Sequence, residues 1–288
     1  MNDPLSAPDS VLNVYIGCEA PQAVAAKVLT HSILRHAQAP GPMRVQVQRL
    51  DECTRRLGLP LGWHTLFSLQ RFCIPLLNDY QGTAVYLDSD MLVFDDIRSL
   101  LRWRDPAVAV CSAAATPDSG RKPQYSVLLI DCARARWAPE QARALAAQDY
   151  LGLMTRLSLE PSKAACLPYT WNSLERWEPV TGLLHYTAMN LQPWISSRNP
   201  LAPLWFEALF EALDEGAVTP ADLEEAHRHR WVRPGLMWQV EHREPDPRRV
   251  PWHLLAAELA YVPPHRPPLR ARLATWLGHG RRPRGAAA

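Results

Sequence analysis

Among these 288 residues there is no Cys-x-x-Cys pair, no zinc-type cysteine spacing and no apolar run approaching a membrane span, which needs roughly 18 residues. The six cysteines (Cys18, Cys53, Cys73, Cys111, Cys132, Cys166) stand singly, and no secretory signal is read ahead of them. Buried thiols in a reducing compartment are therefore expected, with a cytoplasmic location and any membrane contact made peripherally, at the inner face. A net charge of +2 gives no global field for nucleic acid, and none is expected as a partner. There is no internal repeat. A nucleotidyltransferase would want a glycine-rich phosphate loop after the first strand, where Cys18-Glu19-Ala20-Pro21 stands instead. Acid is missing after Glu258, while Arg266, Arg270, Arg272, Arg281, Arg282 and Arg284 follow.

Hydrophobic residues make up 47% and charged residues 21%, ordinary for a globular chain long enough to bury a large core. Residues 1–10 read as a loose polar tail. Val11–Gly17 is an apolar strand ending in glycine, 22–37 follow a helical period, and 43–50 alternate as a strand. A second helix is expected over 66–77, and strands over 83–87, 107–111 and 127–130. The alternation implies an α/β fold with a mostly parallel central sheet covered on both faces. Ligands of such sheets bind beyond the carboxyl ends of the strands, where Gly17 and Asp88 lie. From 201 to 262 the pattern turns helical. Leu201, Leu204, Trp205, Ala208, Leu209, Ala212 and Leu213 share one face, and Thr219-Pro220-Ala221-Asp222 starts another helix with a capping hydroxyl and an acid at the third position. Residues 263–288 read as a basic, partly ordered tail.

The run Leu87-Asp88-Ser89-Asp90-Met91 sets two carboxylates two residues apart directly after an apolar strand. A tight turn can aim both at one point, and hard oxygen ligands suit Mg²⁺ or Mn²⁺. Acids after a strand are also common as solvated turn residues or caps, the reading given to Asp95 and Asp96. The motif alone leaves the two open.

Four segments in order carry a resemblance: Asn13-Val14-Tyr15-Ile16-Gly17, Arg71-Phe72, Asp88-Ser89-Asp90, and His185-Tyr186-Thr187 ahead of Gln192-Pro193-Trp194. Over about residues 11–240 the chain resembles glycosyltransferase family 8, a retaining GT-A group, in its bacterial branch of lipopolysaccharide- and capsule-type transferases. The resemblance implies a GT-A-like nucleotide-sugar-binding domain over 11–200 with a helical C-terminal extension. It implies transfer of a hexose from a nucleotide sugar, UDP-linked, to a saccharide or lipid-linked saccharide, with retention. Asp88, Asp90 and His185 would hold Mn²⁺ or Mg²⁺. The donor would meet Ile16, Gly17, Cys18, Glu19, Arg71, Ser89, Gln124, Ser126, Ala188 and Gln192. Asn172 would line the acceptor side, and Gln148 and Asp149 would stand nearest the family's catalytic segment.

The chain departs from that pattern in three places. Ala188 and Gln192 replace the family's glycine and diphosphate lysine, one extra residue lies between His185 and Pro193, and the acid ahead of Gln148 is Ala147. These departures keep a catalytically silent nucleotide-sugar-binding scaffold as an alternative. A phosphohydrolase using the paired aspartates is the other. It would want the motif at the first strand, not after about the fourth, and threonine or valine where Leu92 stands. In the tail, Leu269, Leu273, Trp276 and Leu277 fall on one helical face with Arg270 and Arg272 off it. That pattern fits an interfacial helix on an anionic membrane, or a helix docked on the domain.

Overall fold

The computed structural model describes residues 11–39, 43–57, 66–120 and 125–265, with backbone only at 66 and 67. The C-terminal tail helix and Gln124 lie outside the described residues. β1 (Val11–Gly17), β2 (Arg44–Arg49), β3 (Thr83–Asp88), β5 (Val110–Ala113), β6 (Val127–Asp131) and β7 (Lys163–Leu167) form one sheet in the order β2-β1-β3-β6-β5-β7. Only β6 runs against its neighbours; the remaining contacts are parallel, so the sheet is mostly parallel as expected.

Period-2 alternation sends Leu12, Val14 and Ile16 to one face, against Ala26, Leu29 and Ile33 of α1 (Ala23–His36). Tyr15 goes to the other face, among Phe72, Trp137, Ala142 and Leu153. That second layer is built by α2 (Leu50–Arg56), the helical stretch 66–77 and α5 (Pro139–Arg156). Both faces are covered, which is why the strands read as near-continuous apolar runs.

The stretch 66–77 is not one regular helix. α3 (Leu66–Gln70) tightens into a 3-10 turn at Arg71–Cys73 before α4 (Ile74–Leu77). Pro75 has no N–H to return to Arg71, and the Ile74 N–H bonds the Arg71 carbonyl three residues back. The strand expected at 107–111 lies instead at Val110–Ala113. Asp105 holds a turn ahead of it, accepting from Ala107 N–H and, through its carbonyl, from Val108 N–H. The paired aspartates close the third described strand rather than the fourth.

A smaller sheet, β4 (Met91–Val93), β9 (Leu183–His185) and β8 (Ser173–Leu174), begins directly after the aspartate turn. The antiparallel β4–β9 pair sets Met91 opposite His185, and this pairing brings a distant histidine to the turn.

The helices after residue 200 are α6 (Ala202–Asp214), α7 (Pro220–Arg228), α8 (Pro234–His242) and α9 (Leu255–Ala260). Trp205, Phe206, Leu209 and Ala212 of α6 share a core with Val24, Ala25 and Val28 of α1 and with Leu92, Leu184 and Tyr186. The change at residue 200 is thus one of secondary structure, and the core runs through it. Thr219 and Asp222 form the expected capping box on α7.

Candidate active site

Residues two apart on a strand point the same way, and on β3 this pairs Tyr86 with Asp88. The fully buried Tyr86 hydroxyl donates to Asp88 Oδ1 at 2.5 Å. Burial drives its pKa well above the ordinary phenol value, against the opposing pull of Arg71, so it stays a donor. Arg71 lies over the Tyr86 ring, 4.6 Å from its centroid. Its Nη1 donates to the Tyr125 carbonyl (2.7 Å) and its Nε to the Ser68 carbonyl (3.1 Å), while Nη2 stands 3.6 Å from Asp88 Oδ1. It is 7% exposed, so it is not an arginine snorkelling over surface apolar groups. The Asp88 N–H bonds the Ser126 carbonyl at 3.1 Å, and Asp88 is register partner to Gly17. Sequence reasoning therefore placed Gly17, Arg71, Asp88 and Ser126 in one neighbourhood, and the structure brings them together.

Asp90, across the turn, is held from three sides. Its Oδ1 lies 3.1 Å from His185 Nε2, its Oδ2 accepts from Gln192 Nε2 at 2.8 Å, and its carbonyl accepts from the Tyr186 N–H. Gln192 gives its second bond to the Tyr186 carbonyl (3.1 Å). Its amide is thus already engaged beside Asp90. Buried Asn172 sits at the far side of the imidazole, with Oδ1 2.8 Å from His185 Nδ1. That contact puts a hydrogen on Nδ1 and aims Nε2 at Asp90. Asn172 was expected on the acceptor side; its amide contacts His185. Burial pushes the His185 pKa down, but the Asp90 and Asp88 carboxylates and Glu175 outweigh it, and the net shift is upward.

One ligand atom from each of Asp88, Asp90 and His185 lies within 4.8 Å of the others. Between the two aspartates the Ser89 hydroxyl is buried with no hydrogen-bond partner among the described residues, and so is Oε1 of Gln70, next to Arg71. Two hard carboxylate oxygens, a correctly turned imidazole and the unpartnered Ser89 hydroxyl at the same turn make a donor set that fits a divalent cation.

At the end of β1, Ile16 and Cys18 are fully buried. The Cys18 thiol points inward to the Glu19 carbonyl (3.2 Å), and burial raises its pKa to about 12 despite the nearby Arg49. Cys18 can therefore face a ligand only through its backbone, whereas Glu19 is half-buried on the turn that follows. A Cβ at Gly17 would lie 2.5 Å from the Tyr86 hydroxyl, closer than real side-chain contacts allow, and the fully buried ring has little room to yield. Gly17→Ala is therefore expected to push Tyr86 off Asp88 and weaken metal-dependent nucleotide binding about tenfold or more. Calorimetric titration beside Tyr86→Phe checks this, since both changes should fail in the same way.

Ala188 donates its N–H to Glu175 Oε1 at 2.7 Å, and Asn199 Nδ2 reaches Glu175 Oε2 at 3.4 Å. Glu175 holds a left-handed backbone (φ 52°), a conformation that costs a non-glycine residue energy and recurs at functional sites. It pins the loop between His185 and Gln192, and no sequence signal singled it out. Tyr86 was missed too, although period-2 spacing from Asp88 could have found it. Gln148 and Asp149 are exposed on α5, which breaks helical geometry at Asp149 (φ −144°, ψ 70°). Asp149 pairs with Arg156 at 2.7 Å and accepts from the Gly152 N–H. No hydrogen bond or ion pair joins either residue to the Asp88–Asp90–His185 cluster.

No protein-family model matches the chain. It is 25% identical to Protein CDI of Arabidopsis thaliana over 229 residues, 69% of this chain and 86% of that protein. Among solved structures, the glycosyltransferase GlyE of Streptococcus pneumoniae superposes with a TM-score of 0.52 at 17% identity, covering 73% of this chain and 65% of that one. The WbbM bifunctional glycosyltransferase superposes with a TM-score of 0.51 at 17% identity, covering 76% of this chain and 51% of that one. The chain thus spans just under two thirds of one of these proteins and about half of the other. The likeness is one of fold, that of GT-A glycosyltransferases.

Proposed function

We propose that this chain transfers a hexose from a UDP-linked sugar to a saccharide acceptor, with retention, as a metal-dependent transferase of the family 8 type. The observation that carries the reading is the convergence of Asp88, Asp90 and His185 at the carboxyl edge of parallel strands in a GT-A fold, where α/β sheets bind their ligands. A divalent ion held by these three residues would supply positive charge to the diphosphate leaving group. The protein's own groups fix that site. Tyr86 and Arg71 set Asp88, Gln192 sets Asp90, and Asn172 sets the tautomer of His185. Gln192 serves the donor through Asp90, and Arg71, with Nη2 3.6 Å from Asp88, stands beside the donor's diphosphate. The register that sets Gly17 beside Asp88 supports a donor lying along the edge, with the diphosphate at Asp88 and Asp90 and the nucleoside over the neighbouring Ile16–Glu19 turn. Gln148 and Asp149 are proposed as the group nearest the reacting carbon, supported by the helix break at Asp149. Retention, the hexose and a lipid-linked acceptor rest on the family resemblance.

Titration of UDP with and without Mn²⁺ tests the reading, and binding should require the metal. The proton on the His185 imidazole must leave before Nε2 can bind a cation. Because the His185 pKa is raised, affinity should fall roughly tenfold per pH unit below it and level off above it. UDP binding indifferent to Mn²⁺ overturns the reading. Metal-dependent binding with no turnover of any UDP-sugar would instead support a silent scaffold.

A further inference from the structure

α9 is inside out. Its one acid, Glu258, turns inward to Arg233 (3.3 Å) and to the Gly235 N–H (2.6 Å), while its apolar residues face away from the domain. Trp252 is 86% exposed, Leu255 56%, Leu259 78% and Val262 45%. Leu255 and Leu259, four residues apart, share one face of α9; Trp252 stands in the 3-10 turn before it and Val262 beyond its end, and Ala256, Ala257 and Ala260 are exposed beside them. Four large apolar side chains exposed between Trp252 and Val262 form a patch of the kind that marks a docking surface.

Beside the patch lies an open pocket of 500 Å³ lined by His227, Arg228 and Arg230 from α7 and the turn after it, and by Ala257, Ala260 and Tyr261. No acidic residue lines it, and neither arginine makes an ion pair among the described residues. Arg248 and Arg249, largely exposed, lie four and three residues before Trp252 and pair with Asp246 and Glu244.

The geometry points to an anionic membrane surface as the occupant of this face. The Trp252–Val262 patch would enter the interfacial layer, and Arg228 and Arg230 would meet lipid phosphates. Tryptophan and leucine on an interfacial helix flanked by arginines have the chemistry such a layer selects. A second copy would set Arg228 and Arg230 against their own equivalents. The chain beyond residue 265 carries Arg266, Arg270, Arg272, Arg281, Arg282 and Arg284 and no acid, so folding back over an arginine-lined pocket would oppose like charges. Four side chains also offer only a few hundred Å², below the roughly 800 Å² per partner of a stable dimer. This inference does not depend on the proposed activity.

Co-sedimentation of the full chain with vesicles of phosphatidylcholine alone, or with about 30% phosphatidylglycerol, tests it. Binding should require the anionic lipid. Leu255→Asp with Leu259→Asp should weaken it about tenfold or more, and Arg228→Gln with Arg230→Gln should weaken binding to the anionic vesicles. A chain ending at His265 should still bind, more weakly. Near-UV circular dichroism verifies that the variants are folded. Three outcomes overturn the inference: undiminished binding by the leucine variant, complete loss of binding on truncation alone, or a solution dimer that the leucine variant converts to monomer.

Discussion

Asp90→Asn is expected to lower sugar transfer by about three orders of magnitude, and Asp88→Asn by a similar factor. Both should abolish the Mn²⁺ dependence of UDP binding. The asparagine at 90 keeps the shape of the side chain and an oxygen for Gln192, whose amide lies 2.8 Å from Asp90 Oδ2. The loss would then report the missing charge, because the turn is kept by the β4–β9 pairing. At 88, an asparagine oxygen can still accept from Tyr86, so the same logic applies. Metal-free stability should change little, since each exchange removes a carboxylate from a partly solvated, crowded site. Paramagnetic resonance of bound Mn²⁺ and single-turnover assays give the two readouts. A loss under tenfold, or full retention of the Mn²⁺ signal, would show that the aspartates are the solvated turn acids of the blander reading.

The second large effect is on stability and concerns the pair beneath α9. Arg233 is fully buried, donates to the Pro193 carbonyl and to Gln239, and meets Glu258 as its one carboxylate partner among the described residues. Burial lowers its pKa, and Glu258 opposes that shift. Removing one member of a buried pair leaves the other charge uncompensated, at a cost of about 3–5 kcal/mol. Glu258→Leu should therefore lower the unfolding midpoint by roughly 6–15 °C for a chain of this size. Adding Arg233→Met should recover most of that loss, because replacing both charges removes the desolvation penalty along with the attraction. Scanning calorimetry of the single and double variants checks the order. A Glu258→Leu midpoint within a degree of the parent would mean that the pair does not hold α9 to the domain.

These two effects differ in how far the sequence foretold them. Asp88 and Asp90 are a local pattern, an apolar run ended by two acids, and their placement at a strand's end follows from period-2 burial. Arg233 carries no comparable signal. It reads as one arginine before a proline, and only the packing of α8 and α9 buries it.

The same division runs through the rest of the molecule. The apolar runs of β1 and β3, the alternation of β2, the helical period of α1 and α6, and the capping box at Thr219 are set by neighbours within a few residues, so the sequence alone determined them. It also determined that acids and glycine would meet at the carboxyl edge of the sheet. Tertiary structure decided which partner each polar atom takes. His185 faces Asp90 because β4 and β9 pair antiparallel with Met91 opposite His185. Gln192 holds Asp90, Asn172 turns His185, and Arg71 lies buried over the Tyr86 ring. Each assignment depends on a contact between segments far apart in the chain. A buried donor or acceptor must find some partner, but local spacing does not say which.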